Sequence, residues 1–155
     1  MASTTMQMLE TYPAEIELDR RMLAEVIDAL KDCAQTCTAC ADACLSEPVE
    51  ELQNLTRCIR DNLDCAEICT TTASVLSRHT GYDANLTHAQ VQSAIQATKT
   101  CGDSCDEHRD THEHCRICAE TCRSTEQALN GLLPHLEPSG KGAQRPGRAA
   151  PQQGR

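Results

Sequence analysis

Residues 33–44 read CAQTCTACADAC, with cysteines at positions 33, 37, 40 and 44. Offsets of 0, 4, 7 and 11 trace one stripe of an α-helix, because residues three and four apart share a face. Cys33, Cys37, Cys40 and Cys44 therefore point the same way, where a soluble helix ordinarily presents leucine. The ladder recurs along the chain. Cys58, Cys65 and Cys69 repeat it with Asn62 in the second slot. Cys101, Cys105, His108 and His112 repeat it with two histidines at the end, and Cys115, Cys118 and Cys122 form a fourth run. Thiols make a poor core but a good container for a soft metal.

The rest of the composition sharpens this reading. The chain has 155 residues, a length that suits one domain. Phe and Trp are absent, Tyr12 and Tyr82 are the only aromatics other than histidine, and Leu, Ile and Val together number 24. With a net charge of -9, such a composition would ordinarily signal disorder. The helical regularity of twelve cysteines argues otherwise, since a free cysteine buries well and behaves as a small hydrophobe. The thiols are thus read as core and site together. The metal-free form is expected to be only modestly stable, with metal adding to the fold. Residues 1–12 lack a basic start and an apolar run of signal length, and no stretch reads as membrane-spanning. The expected compartment is the cytoplasm, where thiols stay reduced.

The fold class predicted is all-α: an antiparallel up-down four-helix bundle with a short N-terminal arm or helix and a disordered C-terminal tail. Residues 1–12 are the arm and residues 13–136 the bundle, with helices at about 14–46, 49–78, 87–109 and 113–133. Pro13 suits the first position of the first helix. Thr87 with Gln90, and Asp110 with Glu113, offer capping boxes for the third and fourth, and Pro134 stops the last. Residues 137–155 are rich in Pro, Gly and Gln and carry net charge +3, which leaves -12 on residues 1–136. An acidic body argues against nucleic acid as a partner. The tail is read as a solubilising end.

In that topology the thiols crowd into one half of the bundle. Extending the ladders the other way gives Val26, Leu30, Thr72, Leu76, Ala94, Thr98, Thr125 and Leu129, which are mostly apolar or small. The expectation is a tube with a thiol-lined half and a plugged half. His108, His112 and Asp61 are placed near the mouth as candidate metal contacts, with Asn62 as a polar mouth residue. His114 is read as a solvated helix start. His79, His88 and His135 are read as surface residues, and the methionines as packing or arm residues.

Several chemistries compete for this pattern. Cu(I) prefers thiolates, and neighbouring thiolates can bridge two ions, so a packed row can hold many. Zinc wants a tetrahedron, commonly supplied by C-x2-C pairs on loops. Here only Cys37/Cys40 and Cys115/Cys118 have that spacing, and both lie inside longer ladders. The runs of iron–sulfur ferredoxins do not match. Disulfide staples between C-x3-C pairs are the bland alternative, and the expected reducing compartment counts against them. Multiple Cu(I) ions per chain are the favoured ligand and an enzyme is not expected. The alternative is a zinc or soft-metal buffering or regulatory scaffold acting through a partner protein.

CAQTCTACADAC (33–44), RCIRDNLDCAEIC (57–69), SRHTGYDAN (77–85) and HEHCRICAETC (112–122) together resemble the cytosolic branch of the copper storage protein family. The resemblance spans roughly residues 6–133. It implies a four-helix bundle, a homotetramer, many Cu(I) ions held along the axis by thiolates, and mouth histidines, here His108 and His112, that help metal in. Similar proteins often carry further cysteines where this chain has Val26, Leu30, Ala94, Thr98, Thr125 and Leu129. That implies a lower capacity and a drier closed end.

Overall fold

The structure, a computed structural model, describes residues 1–136; the expected disordered tail lies outside them. Among the described residues the elements are α1 (Thr4–Glu10), α2 (Arg20–Leu45), α3 (Val49–Leu76), α4 (Ala84–Asp106), α5 (Glu113–Leu132) and a closing 3-10 turn, Leu133–Leu136. Helix α2 packs on α3 and α5, and α4 packs on the same two. The four long helices therefore form a ring with α2 opposite α4 and α3 opposite α5. Short connections make neighbours antiparallel, the up-down arrangement expected.

Local chemistry moves several boundaries from those expected. Helix α2 starts at Arg20, not near residue 14, because the Asp19 carboxylate accepts the Met22 N–H at 2.8 Å and caps the first turn. Ile16 and Leu18 still pack against the core, but from an irregular segment. Helix α3 stops at Leu76, where Ser77 takes the C-cap. Helix α4 starts at Ala84, capped by Asp83 through the Leu86 N–H at 3.1 Å. Thr87 and Gln90 do not form a capping box. The Thr87 hydroxyl donates to the Asp83 carbonyl, and Gln90 Nε2 donates to Thr72 Oγ1 across to α3. The turn before α4 holds Gly81 at φ 65, a left-handed conformation that glycine adopts without steric cost. Helix α5 begins after His112, not Asp110, and Glu113 pairs with Arg116 instead of capping. Pro134 does end the α-helix, and the chain tightens into the 3-10 turn.

The N-terminal residues form a short helix. Ser3 caps α1, Leu9 is buried against the bundle, and Thr5 Oγ1 donates to Asp28 Oδ1 on α2 at 2.5 Å. Tyr12 and Thr80 bond through their hydroxyls at 3.0 Å.

The closed half of the bundle is plugged as the ladder extension requires. Val26, Leu30, Leu76, Val91, Ala94 and Leu129 are buried there, with Thr72, Thr98 and Thr125. Each threonine donates its hydroxyl to its own helix, to Ile68, Ala94 and Thr121 carbonyls respectively. Each buried hydroxyl therefore has an acceptor without water. No helix among the described residues is long and apolar enough to cross a membrane.

Candidate metal centre

All twelve cysteines are free and buried, lining the other half of the ring. They stack in layers. Deepest lie Cys33 and Cys69. Above them Cys37 Sγ stands 3.9 Å from Cys101 Sγ, 3.7 Å from Cys118 Sγ and 3.7 Å from Cys122 Sγ. Cys33 reaches Cys122 at 3.9 Å, and Cys58 faces Cys105 at 3.6 Å nearer the mouth. Donor atoms within 4.8 Å of one another define overlapping groups: Cys33, Cys37, Cys65 and Cys122; Cys37, Cys101, Cys118 and Cys122; Cys40, Cys105 and Cys118; and Cys40, Cys44, Cys115 and His114. Cys37, Cys40, Cys118 and Cys122 each belong to two groups. Sulfurs shared in this way suit bridging thiolates.

The packed thiols also set one another's acidity. Hydrogen bonding to Cys101 is the leading cause that holds Cys118 and Cys65 below the ordinary thiol range and lowers Cys105 to about 5. Sharing with Cys101 and Cys118 pushes Cys37 up, and sharing with Cys105 and Cys115 pushes Cys40 up. Neighbouring S–H groups that donate to a sulfur favour its ionised form, and crowding of several thiols disfavours ionising all of them at once.

Asn62 and His114 sit where the sequence reading did not put them. Asn62 is fully buried in the middle of the tube, not at its mouth. Its Oδ1 accepts from Cys118 at 2.9 Å and Cys101 at 3.4 Å, while its Nδ2 donates to the Cys58 carbonyl at 2.8 Å. Asn62 occupies a ladder slot, and the layers of α4 and α5 beside it are thiols, so a full set of polar partners is waiting there. His114 is not a solvated helix start. Its Nδ1 lies 3.5 Å from Cys40 Sγ, 3.6 Å from Cys115 Sγ and 4.0 Å from Cys44 Sγ. A signal for this was present, since His114 stands four residues before Cys118 and so shares its helical face. Its Nε2 meets Glu47 at 3.0 Å. Glu47 comes from the α2–α3 turn, outside any ladder, and only the tertiary fold brings it in.

The expected mouth residues separate. His112 is buried at the rim, with Nδ1 3.2 Å from Glu47 and Nε2 3.4 Å from Glu51. His108 lies outside it, its ring centroid 6.3 Å from that of His112. Asp61 stands to the side of the tube, bonded by the Ser104 hydroxyl and 3.7 Å from Arg57. Its carboxylate joins none of the thiol groups. His79, expected on the surface, is partly buried at the opposite end, edge-on to Tyr12. The hydrogen bond from His114 is the main cause that holds the Glu47 carboxyl below its ordinary range, so it is an anion facing the two rings.

The family model described as copper storage protein matches residues 19–134. The chain belongs to the copper storage protein family. Among solved structures, the copper storage protein Ccsp from Streptomyces lividans, loaded with 10 copper equivalents, is 55% identical with a TM-score of 0.82. That match covers 84% of this chain and 98% of the other. The cytosolic S. lividans protein with five coppers is 56% identical at a TM-score of 0.72, over 74% of this chain and 93% of that one. A variant of it with two histidines changed to alanine is 55% identical at a TM-score of 0.73, over 76% and 97% of the two chains. No curated protein matches. As a copper storage protein, this one departs from a fully thiol-lined bundle by its apolar and threonine plug and by Asn62 amid its sulfurs.

Proposed function

We propose that this copper storage protein binds multiple Cu(I) ions through the thiolates of its bundle core and holds them in the cytosol, as a store or a sequestering sink. The observation that carries the reading is the sharing of sulfurs between groups. Discrete zinc tetrahedra need four ligands each, and two groups that both claim Cys37 and Cys122 cannot both be filled. Cu(I) accepts bridging thiolates, so shared sulfurs raise its capacity. The ligand set proposed is Cys33, Cys37, Cys40, Cys44, Cys58, Cys65, Cys69, Cys101, Cys105, Cys115, Cys118 and Cys122, joined at the mouth by His114. His112 and His108 pass ions inward from the rim. Asp61 supports the set by tying α3 to α4 through Ser104.

The cytosolic location follows that of the S. lividans relative. The homotetramer rests on family resemblance, and light scattering of the full chain tests it. The reading is non-catalytic: every thiol and histidine of the tube has a part in holding or passing metal. Competition decides between this and a zinc scaffold. Equal Cu(I) and Zn(II), supplied anaerobically to the reduced chain, should leave copper in the tube and zinc in solution. Zinc retained in preference to copper would overturn the store.

A further inference from the structure

The mouth carries donors of a different chemistry from the tube beneath it. Glu47, His112 and His114 bring a carboxylate oxygen and ring nitrogens within 4.8 Å of one another. Glu47 Oε1 lies 3.2 Å from His112 Nδ1 and 3.0 Å from His114 Nε2, and Glu51 closes the rim 3.4 Å from His112 Nε2. Imidazole and carboxylate suit Cu(II), whereas thiolates suit Cu(I). His114 belongs to both sets. Its Nε2 faces Glu47, and its Nδ1 faces the sulfurs of Cys40, Cys44 and Cys115 at 3.5–4.0 Å. All twelve thiols are buried, so Cu(II) meets them through the mouth and not from the outer face of the bundle.

We propose that Glu47, His112 and His114 form a cupric site at which the thiols below reduce Cu(II), so that the protein takes in oxidised copper as well as Cu(I). This rests on the tube being a Cu(I) store, because the reduced ion must have thiolates to move to. The step balances within the molecule. Two Cu(II) ions, arriving in turn, each accept one electron. The S–H bonds of Cys115 and of Cys40 or Cys44 break, one S–S bond forms between α5 and α2, and two protons leave to solvent. The sulfurs concerned already lie within 4.8 Å of one another. Two Cu(I) ions then prefer sulfur to the nitrogen and oxygen donors of the rim, and this change of preference drives them inward. Glu47 and His112 bind the ion, and His114 both binds it and links it to the thiols.

The test adds two equivalents of Cu(II), as its glycine complex, to the reduced, copper-free full chain without oxygen. Electron paramagnetic resonance follows Cu(II), a thiol assay counts sulfhydryls, and peptide mapping locates any disulfide. Expected are loss of the Cu(II) signal, loss of two thiols, and a disulfide that includes Cys115. Losing even outer-shell partners lowers metal affinity about 10- to 100-fold, so Glu47→Gln with His112→Gln should slow the signal loss by at least about tenfold. Cys40→Ser with Cys44→Ser and Cys115→Ser should instead hold Cu(II), with nitrogen couplings in its spectrum. Three results overturn the inference: Cu(II) that persists in the unaltered chain, a disulfide without Cys115, or a rim variant that reduces Cu(II) as fast as the unaltered chain. A Cu(I) titration of the same unaltered preparation separates the two readings. Normal Cu(I) uptake beside absent reduction removes the cupric site alone, whereas failed Cu(I) uptake removes the store as well.

Discussion

At the scale of single residues, the tube works because its sulfurs are redundant. Cys37 and Cys118 contact each other and stand in the most densely shared layers, yet the remaining thiols form groups without them. Cys37→Ser with Cys118→Ser should therefore lower the Cu(I) endpoint by several ions and leave binding intact; complete loss would point to one small site. Asn62 is the opposite case, a residue whose partners are all specific. Removing one partner of a buried hydrogen bond strands the others at about 1–3 kcal/mol each, so Asn62→Ala should destabilise the copper-free protein by at least that amount in urea melts. The cysteine ladders were legible because helical spacing is a local property. Asn62 was misplaced to the mouth because depth along the bundle depends on how α4 and α5 register against α3. Glu47 was invisible because it lies in a turn whose direction only packing decides.

At the scale of elements, caps and docking contacts fix where the ladders begin. The four-helix pattern was readable from periodicity, but the starts of α2 and α4 were not. Asp19 and Asp83 supply the capping oxygens, where Pro13 was expected to open the first helix and Thr87 to cap the third, and a side chain that could cap or pack is assigned only by the neighbouring helix. Asp19→Ala should cost about 1 kcal/mol, seen as a shifted thermal midpoint with Cu(I) capacity retained. Helix α1 is held by Leu9 and by Asp28, whose carboxyl burial raises but hydrogen bonds from Ser3 and Thr5 and the charge of Lys31 lower further. A depressed folded-state value means the contribution is present above the unfolded carboxyl range and lost as pH falls through the folded value. Below about pH 4, the unfolded carboxylate value, the protection of α1 amides, corrected for the intrinsic pH dependence of exchange, should therefore fall while that of α2–α5 holds. Equal α1 protection factors at pH 3 and pH 6 would contradict this.

At the scale of the whole molecule, the bundle divides its length between a plug that supplies ordinary core and a tube that supplies the site. Burying each plug leucine contributes about 1.5–3 kcal/mol, a contribution to the fold that does not depend on metal. Binding at the other half displaces protons from thiols, so Cu(I) affinity should fall as pH falls. The same division predicts that cutting the chain before residue 137 leaves capacity unchanged, because every proposed ligand lies in the bundle. The most direct measurement is an anaerobic Cu(I) titration of the reduced chain, followed by ultraviolet thiolate-to-copper absorbance to its endpoint. The account predicts an endpoint approaching the number of cysteines or beyond it; saturation at one or two ions per chain would contradict it.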